Sequence, residues 1–563
     1  MSARARRPGL LAFGLAVVLV GGGAAGAAEP SRPSEDEMFG SAPAPAAPQA
    51  PADAGTTPVP PAAAQSNALS PAAPPLAAPG VPTAADQGSS RDNELLGDPN
   101  AGPRLSQDVA PDDPLKIGGQ LYLRSLAQAT QGQSADSIRF SAPSLMDGYF
   151  DARPNDRVRG FVLGRLFFDP TLPTSASATP MTSSSATASM TSSSASVTAP
   201  AVPLLSGSLN ARGPTMLLDQ MWLRFDILHT VFITAGRQHV KWGTARFWTP
   251  TDFLHPQPIN PIAAFDARPG FTMLKAHIPW ESRGWNFYGF GLVEGVQQID
   301  ANGRPITGSD GAGTLGQLGT AARAEIVLGA AELGLDTVLY RGRKPKFGGD
   351  LSVGVGDFDL YADVGLRYGS ELPRRGYVAA DVPYTYNPSR PFQDQLNEWV
   401  DLKYPVYYNI GVKPQITVGG TYSLKYNDND VFTVTGEYFY NSLGYDDPHV
   451  YPGLFLSNSF QFFYTGRHYA ALSAIAAAPY SWNYTTFTLT TLGNLSDQSF
   501  ITRLDYSLVL LTHLRFEAFG AVDYGHRVGE FRLGVNGFTL PDGSSLSLSP
   551  QSFSMGVGLR VSI

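Results

Sequence analysis

Long stretches that alternate apolar and polar side chains recur from about Leu115 to the end of the chain. Residues 357–368 read DFDLYADVGLRY and residues 499–510 read SFITRLDYSLVL, so that one set of alternate positions is mostly apolar. Successive side chains of a β-strand point to opposite faces, and each stretch therefore predicts a strand with one apolar and one polar face. The recurrence of this two-residue period predicts an all-β fold.

The lengths of these stretches and of their connections separate two all-β architectures. A soluble β-sandwich also alternates, but its strands are usually about 5–6 residues long, whereas outer-membrane strands run for about ten. The connections here alternate between short turns, such as 355–356, and long loops, such as 370–405. This wiring predicts a transmembrane antiparallel up-and-down β-barrel with both ends on the short-turn side. The count is about 18 strands, and 16 also fits because strand ends are read only to within about two to four residues.

The first 28 residues have the features of a secretory signal peptide. Three arginines within the first seven residues precede an apolar run from Leu10 to Val20 and small residues up to Ala28. The run is shorter than a membrane-spanning helix requires, so residues 1–28 are predicted to be cleaved rather than retained as an anchor. The chain contains no cysteine, which excludes a lipoprotein, disulfides and thiolate metal sites.

Two segments have compositions that cannot bury an apolar core. Residues 29–113 are rich in proline and alanine and predict a disordered periplasmic linker, either a tether or a tail without function. Residues 171–203 are rich in serine and threonine within a loop predicted to lie outside the cell. A surface shield, a glycan carrier and plain disorder stay open for that loop. The barrel itself is predicted to comprise residues 114–563.

The last strand resembles a targeting signal. Residues 551–563 read QSFSMGVGLRVSI and place alternate apolar residues on one face up to the terminal Ile563. This pattern resembles the C-terminal strand of bacterial outer-membrane proteins, although that strand most often ends in phenylalanine. The resemblance implies that the barrel assembly machinery is a partner. It also implies that the chain lies among the lipids of a Gram-negative outer membrane.

Two further motifs resemble Gram-negative porin-like and alginate-export-like barrels. They are GRQHVKWGTARFWTPTDFLHP, from Gly236, and EYFYNSLGY, from Glu437. In porins of this general type a loop in the corresponding position commonly folds into the lumen and narrows it. The resemblance implies that the loop 243–269 is a constriction. The charged residues that this loop would bring there are Arg246, Asp252, Asp266 and Arg268.

Charged side chains on the polar strand faces are candidates for lining the pore. In the strand before the loop, alternation predicts that Thr234 faces lipid while Arg237, His239 and Lys241 face the lumen. Basic arcs and acidic arcs on separate parts of the wall would produce a field across the lumen, whereas neighbouring salt bridges would cancel it locally. The sequence leaves both arrangements open. The early-strand and middle-strand candidates are Arg157, Arg159, Arg165, Glu332, Asp336, Asp357, Asp359 and Asp363.

The expected function is passive diffusion of small hydrophilic solutes through the barrel. A polysaccharide exporter and an assembly scaffold stay open, while a barrel hydrolase is disfavoured because no G-x-S-x-G or H-E-x-x-H motif occurs. No catalytic residue, metal ligand or cofactor is assigned, since His239 and His255 lack a metal-binding spacing. The net charge of −8 argues against nucleic acid as a partner. Monomeric and homo-oligomeric barrels both stay open.

Overall fold

The computed structural model describes a large C-terminal part of the chain. The described residues are 114–563 without 133, 135, 137, 172–213, 256–257, 264–265, 267, 294–317, 341–342, 371–372, 428–430, 458 and 481. The predicted signal peptide 1–28, the predicted linker 29–113 and residues 172–203 of the Ser/Thr-rich loop therefore lie outside the described residues. None of the helices in the described part is both long enough and apolar enough to cross a bilayer.

Eighteen long antiparallel strands in the described ranges form one closed sheet. Each strand pairs with the next along the chain, and the last pairs with the first, from Gln120 opposite Ser562 to Thr130 opposite Gln551. The predicted fold class, a closed antiparallel barrel, is therefore confirmed, and the count is the higher of the two expected values. In chain order the strands are β1 (Leu115–Thr130), β2 (Ser144–Asn155), β3 (Val158–Phe168), β4 (Thr215–Ile227), β5 (Val231–Gln238), β6 (Phe271–Trp280), β7 (Trp285–Leu292), β8 (Gly319–Leu328), β9 (Ala331–Tyr340), β10 (Lys346–Val355), β11 (Phe358–Tyr368), β12 (Val412–Lys425), β13 (Val431–Asn441), β14 (His468–Ala477), β15 (Thr485–Asn494), β16 (Ser499–Leu511), β17 (Leu514–Gly525) and β18 (Gln551–Ser562).

The alternation of the sequence becomes the two surfaces of the barrel. In β3, Arg159, Phe161 and Arg165 are buried, while Val162 and Leu166, on the opposite face of the strand, are exposed. The same outward exposure of leucine, valine, phenylalanine and methionine recurs from β1 to β18. A closed antiparallel barrel pairs its backbone groups within the sheet, so the backbone needs no water as a hydrogen-bond partner. Its apolar outer face is therefore suited to lipid. The chain is thus an outer-membrane protein.

The short-turn end of the barrel contains both ends of the sheet. Ile563 and Gly119 exchange backbone hydrogen bonds of 2.8 and 2.9 Å, which fixes the chain terminus beside β1. Trp280 and Trp285 flank the turn between β6 and β7, with ring centroids 5.6 Å apart. Aromatic side chains at this level suit the interface between lipid and water.

Two strands differ from the boundaries that the sequence predicts. The strand expected at 230–241 ends at Gln238. The single strand expected at 406–426 is divided, because Val406–Tyr407 pairs with Arg374–Arg375 outside the barrel and β12 begins only at Val412. The division falls at Gly411, whose φ of 88° interrupts an extended chain.

The long-loop end is covered by packed structure. It contains the helices α1 (Phe392–Lys403) and α2 (Tyr451–Leu456) and a hairpin of Val535–Thr539 with Ser545–Leu548. The 3-10 turns Glu281–Arg283, Pro448–Val450 and Glu530–Arg532 and the short strand Arg139–Ser141, which pairs with β1, complete the secondary structure of the described part. One face of α1 packs against the hairpin through buried apolar side chains, namely Leu396, Trp399, Val400, Leu540, Leu546 and Leu548.

Candidate functional site

Described residues of the chain between β5 and β6, which runs from 239 to 270, pack against the inner side of the barrel wall. Its first half contributes Trp242, Phe253 and Leu254 to a buried cluster with wall residues of β6 to β9. It also contributes Phe247, Trp248 and Ile262 to a second buried cluster with residues of β13 to β17. The wall residues of the two clusters are Phe271, Met273, Phe290, Leu292, Ala321 and Val338 in the first, and Phe439, Tyr469, Ala471, Leu492, Ile501 and Ala521 in the second. This segment, hereafter the inner loop, thus contacts two separate arcs of the wall.

A buried carboxylate of β13 accepts hydrogen bonds from three consecutive backbone amides of the inner loop. Glu437 accepts from Arg246 N at 2.8 Å, Phe247 N at 3.1 Å and Trp248 N at 2.8 Å. Tyr361 of β11 donates its hydroxyl to the same carboxylate at 3.0 Å. Hydrogen bonds to a charged acceptor are typically worth about 1.5–3 kcal/mol each, so this contact is a strong anchor for the loop. It also joins the two sequence motifs, since Glu437 begins the second and the three amides belong to the first.

A second carboxylate, on β11, holds the start of the inner loop. Asp363 accepts from Thr244 N at 3.0 Å, Thr244 Oγ1 at 2.8 Å and Ala245 N at 3.5 Å. Gly243, next to this contact, has a φ of 96°, and a Cβ there would lie 2.3 Å from Asp363 Oδ2. A side chain at position 243 would therefore displace the carboxylate or strain the backbone.

Trp248 lies at the centre of the loop's contacts with the far wall. It is fully buried, and its ring stacks on Phe439 with centroids 5.7 Å apart. Its Nε1 donates to Phe463 O at 3.0 Å, and its own carbonyl accepts from Thr417 Oγ1 at 2.8 Å. Arg503 of β16 also reaches the inner loop, donating to the carbonyl of Ile262. The loop is thus held at several positions along its length.

Three of the predicted constriction residues form one ionic group within the inner loop. Arg268 Nη1 lies 2.8 Å from Asp252 Oδ2, and Arg268 Nε donates to Asp266 at 2.9 Å. Burial alone would raise the pKa of Asp266, but the Arg268 guanidinium holds that pKa below its usual value. The arginine thus closes the loop on itself, because the two carboxylates stand 14 positions apart in sequence (266 − 252).

The two histidines considered as metal ligands come near each other. The rings of His239 and His255 have centroids 5.7 Å apart. Burial lowers the pKa of His255, which favours its neutral form. Across the described ranges, no three histidine or carboxylate side chains are grouped so as to hold a metal ion.

The basic candidates of the early strands pair with acids beside them on the wall. Arg159 and Arg165 are buried on the inner face of β3, while Arg157 is exposed in the preceding turn. A shift of the β3–β4 register turns both Asp219 and Gln220 inward, which brings a carboxylate to Arg165. The ion pairs are Arg157 with Asp226 at 3.2 Å, Arg159 with Asp151 at 2.9 Å, and Arg165 with Asp147 at 3.0 Å and with Asp219 at 3.2 Å.

Two of the acidic candidates of the middle strands have a cation beside them. Asp336 of β9 faces Arg323 at 3.4 Å, and Asp359 of β11 faces Arg246 of the inner loop at 3.4 Å. Glu332 is half-buried on β9, and Asp357 is exposed in the turn before β11. Ion pairs between neighbours therefore occur on both the early and the middle strands. They are the alternative that the sequence left open, and they describe Arg157, Arg159, Arg165, Asp336 and Asp359.

The predicted orientation of β5 was wrong. Arg237 lies opposite Met221 and Thr272, on the face where Met221 is 51% exposed. Thr234, expected to face lipid, is buried opposite Lys275. The strand begins with three consecutive apolar residues that supply both faces, so alternation could not distinguish them.

The remaining charged residues of that stretch lie beyond the end of the strand. Arg237 donates from Nε to the carbonyl of Gly270 at 2.8 Å, which ties the two ends of the inner loop together. His239 Nε2 lies 2.9 Å from Asp219 Oδ1, and Lys241 is exposed. Of the three side chains expected to line the lumen from β5, none lies on the inner face of a regular strand.

Sequence reasoning missed several residues that organise the site. Glu437 was visible only as the first letter of a motif, and Asp219, Arg323 and Asp350 were not singled out. Arg323 contacts Asp350 at 2.7 Å across two strand pairings. The available signal was a single charged residue at an inward position of a strand, which does not reveal its partner.

No family model matches the sequence, and no curated protein matches it. Solved structures that match include the outer membrane protein opdK from Pseudomonas aeruginosa, with 10% identity, coverage of 80% of this chain and 98% of that chain, and a TM-score of 0.41. Pseudomonas aeruginosa OccK2 (OpdF) in complex with glucuronate matches with 11% identity, 80% and 96% coverage and a TM-score of 0.42. A BenF-like porin from Pseudomonas fluorescens Pf-5 matches with 10% identity, 79% and 99% coverage and a TM-score of 0.41. These values are too low to transfer the properties of those proteins to this chain.

Proposed function

We propose that this protein is an outer-membrane channel for passive diffusion of small hydrophilic solutes, with the loop 243–269 as its constriction. The observation that carries the proposal is the anchoring of that loop by Glu437 and Asp363, two buried carboxylates on the barrel wall. A loop that served only to connect β5 with β6 would need neither. Because its backbone amides are fixed to the wall, the loop occupies a fixed part of the barrel interior. Its position then sets the width of the remaining lumen.

The charges of the wall support a passage for polar solutes in general rather than for one sign of ion. Each basic candidate of β3 has a carboxylate within salt-bridge distance, and Arg246 and Arg323 neutralise acids of β9 to β11. Opposite charges at such short range cancel within a Debye length of about 8 Å at physiological salt. Size and hydrogen bonding then decide what passes more than net charge does.

The test is single-channel recording combined with chemical modification. Because the chain has no cysteine, Arg246→Cys introduces a single reactive thiol into the inner loop. A charged thiol reagent added during recording should reduce the current through an Arg246→Cys channel. The matched control is Leu504→Cys, which is 49% exposed on the outer, lipid-facing side of β16 and should leave the current unchanged.

The alternatives make different predictions in the same experiment. A scaffold with a closed lumen would not conduct before or after modification. An exporter would pass large polymers, and its conductance would exceed that of a pore narrowed by a fixed loop. Conductance that Arg246→Cys modification does not alter would contradict the role of the loop 243–269 while leaving the channel itself standing.

A further inference from the structure

A second group of buried carboxyls lies at the long-loop end, away from the anchors of the inner loop. Asp497 belongs to the short connection between β15 and β16, and Glu530 belongs to the long connection 526–550. Only 4% of Asp497 and 1% of Glu530 is exposed. Burial of two acids together is costly unless something compensates them, so their surroundings decide their role.

Glu530 joins three parts of the loop end through acceptor contacts. Its Oε1 accepts the backbone N–H of Phe463, in the loop 442–467. Its Oε2 accepts from Tyr469 OH at 2.6 Å and from Asn494 Nδ2 at 2.8 Å. Its own backbone N–H donates to Asp497 Oδ2 at 2.8 Å. The loop 442–467, the barrel rim and the connection 526–550 therefore meet at this side chain.

Asp497 completes the same network. Its Oδ1 accepts from Ser499 N at 2.9 Å and Ser499 Oγ at 2.6 Å. Its Oδ2 accepts from Tyr451 OH of α2 at 2.9 Å and from Asn494 Nδ2 at 2.8 Å. Asn494 Nδ2 thus donates to both carboxyls, which places Asp497 and Glu530 side by side.

The groups that face this pair carry no positive charge. Tyr469 reaches it from β14 and Tyr451 from α2, and in the described part of the chain neither carboxyl has a salt bridge. The cations of the neighbouring loops are directed elsewhere: Arg532 donates to Gly525 O and Gln131, and Arg467 pairs with Asp446. His526 and Arg527 lie on the segment of Glu530 and make no ion pair with it in the described ranges.

We propose that Asp497 and Glu530 form a proton-dependent lock that holds the loop 442–467 and the connection 526–550 onto the barrel rim. The pair is closed while it retains a proton. Once both carboxyls are ionised, two negative charges share one dry site and the loops loosen. The lock would regulate the channel proposed above, because both loops lie at the outer mouth of the barrel. Its effect on solute passage therefore rests on that proposed function.

The direction of the pH dependence follows from the two acids. Burial raises the pKa of Glu530 from 4.5 to about 8, with the neighbouring Asp497 adding to the effect. Burial likewise raises the pKa of Asp497. A raised folded-state pKa contributes stability that is complete below about pH 4.5 and is lost as the pH rises toward about 8. The loops should therefore be most firmly held in acid.

The experiment measures hydrogen–deuterium exchange of the full-length protein in detergent or lipid at pH 5.5 and pH 8.5, corrected for intrinsic exchange. Amides of residues 459–467 and 526–534 should exchange on the order of tenfold faster at the higher pH, since one pKa unit corresponds to a factor of ten. Glu530→Gln removes the ionisable group, so the difference between the two pH values should disappear. Its NH₂ group meets donors that the carboxyl accepts from, so exchange should be raised equally at both pH values. Asp542→Asn, an exposed carboxyl on the same connection, should preserve the difference.

A second variant keeps the proposal testable if Glu530→Gln does not fold. Tyr469→Phe removes a donor to the ionised carboxylate, so the transition should move to higher pH. An exchange difference that is equal in wild type, Glu530→Gln and Tyr469→Phe would overturn the lock, as would its absence in wild type. Exchange does not require conduction, so a non-conducting barrel with this pH profile would refute the channel and leave the lock intact.

Discussion

The inner loop and the outer connections are both held by buried carboxyls, but in different ways. Glu437 and Asp363 sit on barrel strands and face backbone amides of a single loop. Asp497 and Glu530 sit in connections between strands and face each other across a shared amide donor. The first arrangement surrounds each negative charge with N–H dipoles, whereas the second places two acids together without a cation.

This difference predicts different kinds of motion. The carboxyls of Glu437 and Asp363 each accept hydrogen bonds from several groups of one loop, so several contacts have to break together before that loop can move. Two neighbouring buried acids repel each other once both are ionised, so the loops that they hold should respond to pH. The barrel would then combine a constriction loop that stays docked with loops at the outer mouth whose position depends on pH.

The largest expected effect comes from removing both anchors of the inner loop. In the double variant Glu437→Gln and Asp363→Asn, each amide keeps one acceptor and turns an NH₂ group toward the loop's own N–H donors. The lost docking free energy is on the order of 3 kcal/mol or more, because hydrogen bonds to a charged group are worth about 1.5–3 kcal/mol each. Single-channel conductance should rise by roughly twofold or more, with larger current noise.

The control for this double variant is another buried carboxyl of the inner wall. Asp523 of β17 accepts from Gln551 Nε2 of β18 at 2.9 Å, and among the described residues its hydrogen bonds do not involve the inner loop. Asp523→Asn should insert and conduct as wild type does. A double variant with unchanged conductance and normal heat-modifiable migration on gels would show that the anchors do not set the width of the pore.

The next effect tests whether the two regions are coupled. Trp248 of the inner loop donates Nε1 to Phe463 O at 3.0 Å, and the N–H of Phe463 donates to Glu530. Trp248→Phe removes this donor while keeping a ring against Phe439. We expect the exchange of residues 459–467 to rise several-fold, as loss of a buried hydrogen bond costs about 1–3 kcal/mol. If the effects of Trp248→Phe and Glu530→Gln on hydrogen exchange are additive in the double variant, the two regions are not energetically coupled.

The strands could be predicted from the sequence because their signal is local. In β11 and β16 alternate side chains are apolar for more than ten residues, with Thr502 as the exception in β16, and one face must meet lipid. The alternation failed in β5, which begins with three consecutive apolar residues, Val231, Phe232 and Ile233, so that both faces carry apolar side chains. A periodic signal identifies a strand but not what fills the barrel behind it.

The anchoring contacts could not be predicted because they are not local. Glu437 and Trp248 are 189 positions apart in sequence, and no spacing or composition links them. The resemblance to porin-like barrels singled out both motifs and implied an inward loop, but it gave no partner for Glu437. Such contacts depend on the register of strands and on the path of a loop between them, and both are fixed only once the barrel closes.

A smaller effect concerns the ion pair at the edge of the inner loop. Arg246 Nη2 lies 3.4 Å from Asp359 Oδ2, and both side chains are partly exposed. Partly exposed ion pairs contribute about 0–1 kcal/mol, so Arg246→Gln should leave the loop docked. Removing one positive charge should make the channel slightly more selective for cations, which a shift of the reversal potential would measure. The shift should shrink at 1 M salt, where the Debye length is about 3 Å. A shift toward anions, or a large change in conductance, would show that Arg246 holds the loop rather than tuning its charge.

The smallest expected effect isolates one neutral hydrogen bond of the inner loop. Thr417 Oγ1 of β12 donates to the carbonyl of Trp248 at 2.8 Å. Thr417→Val keeps the shape and removes the donor, at a cost of about 0.5–1.5 kcal/mol. Because the Glu437 contacts remain, mean conductance should stay within error while brief openings of higher conductance become more frequent.

Thr491→Val is the matched control, since Thr491 and Thr502 pair with each other at 2.9 Å through hydroxyl groups away from the inner loop. Equal current noise in the two variants would mean that Thr417 does not help to dock the loop, whereas excess noise in Thr417→Val alone would separate its weak contribution from that of the Glu437 anchor.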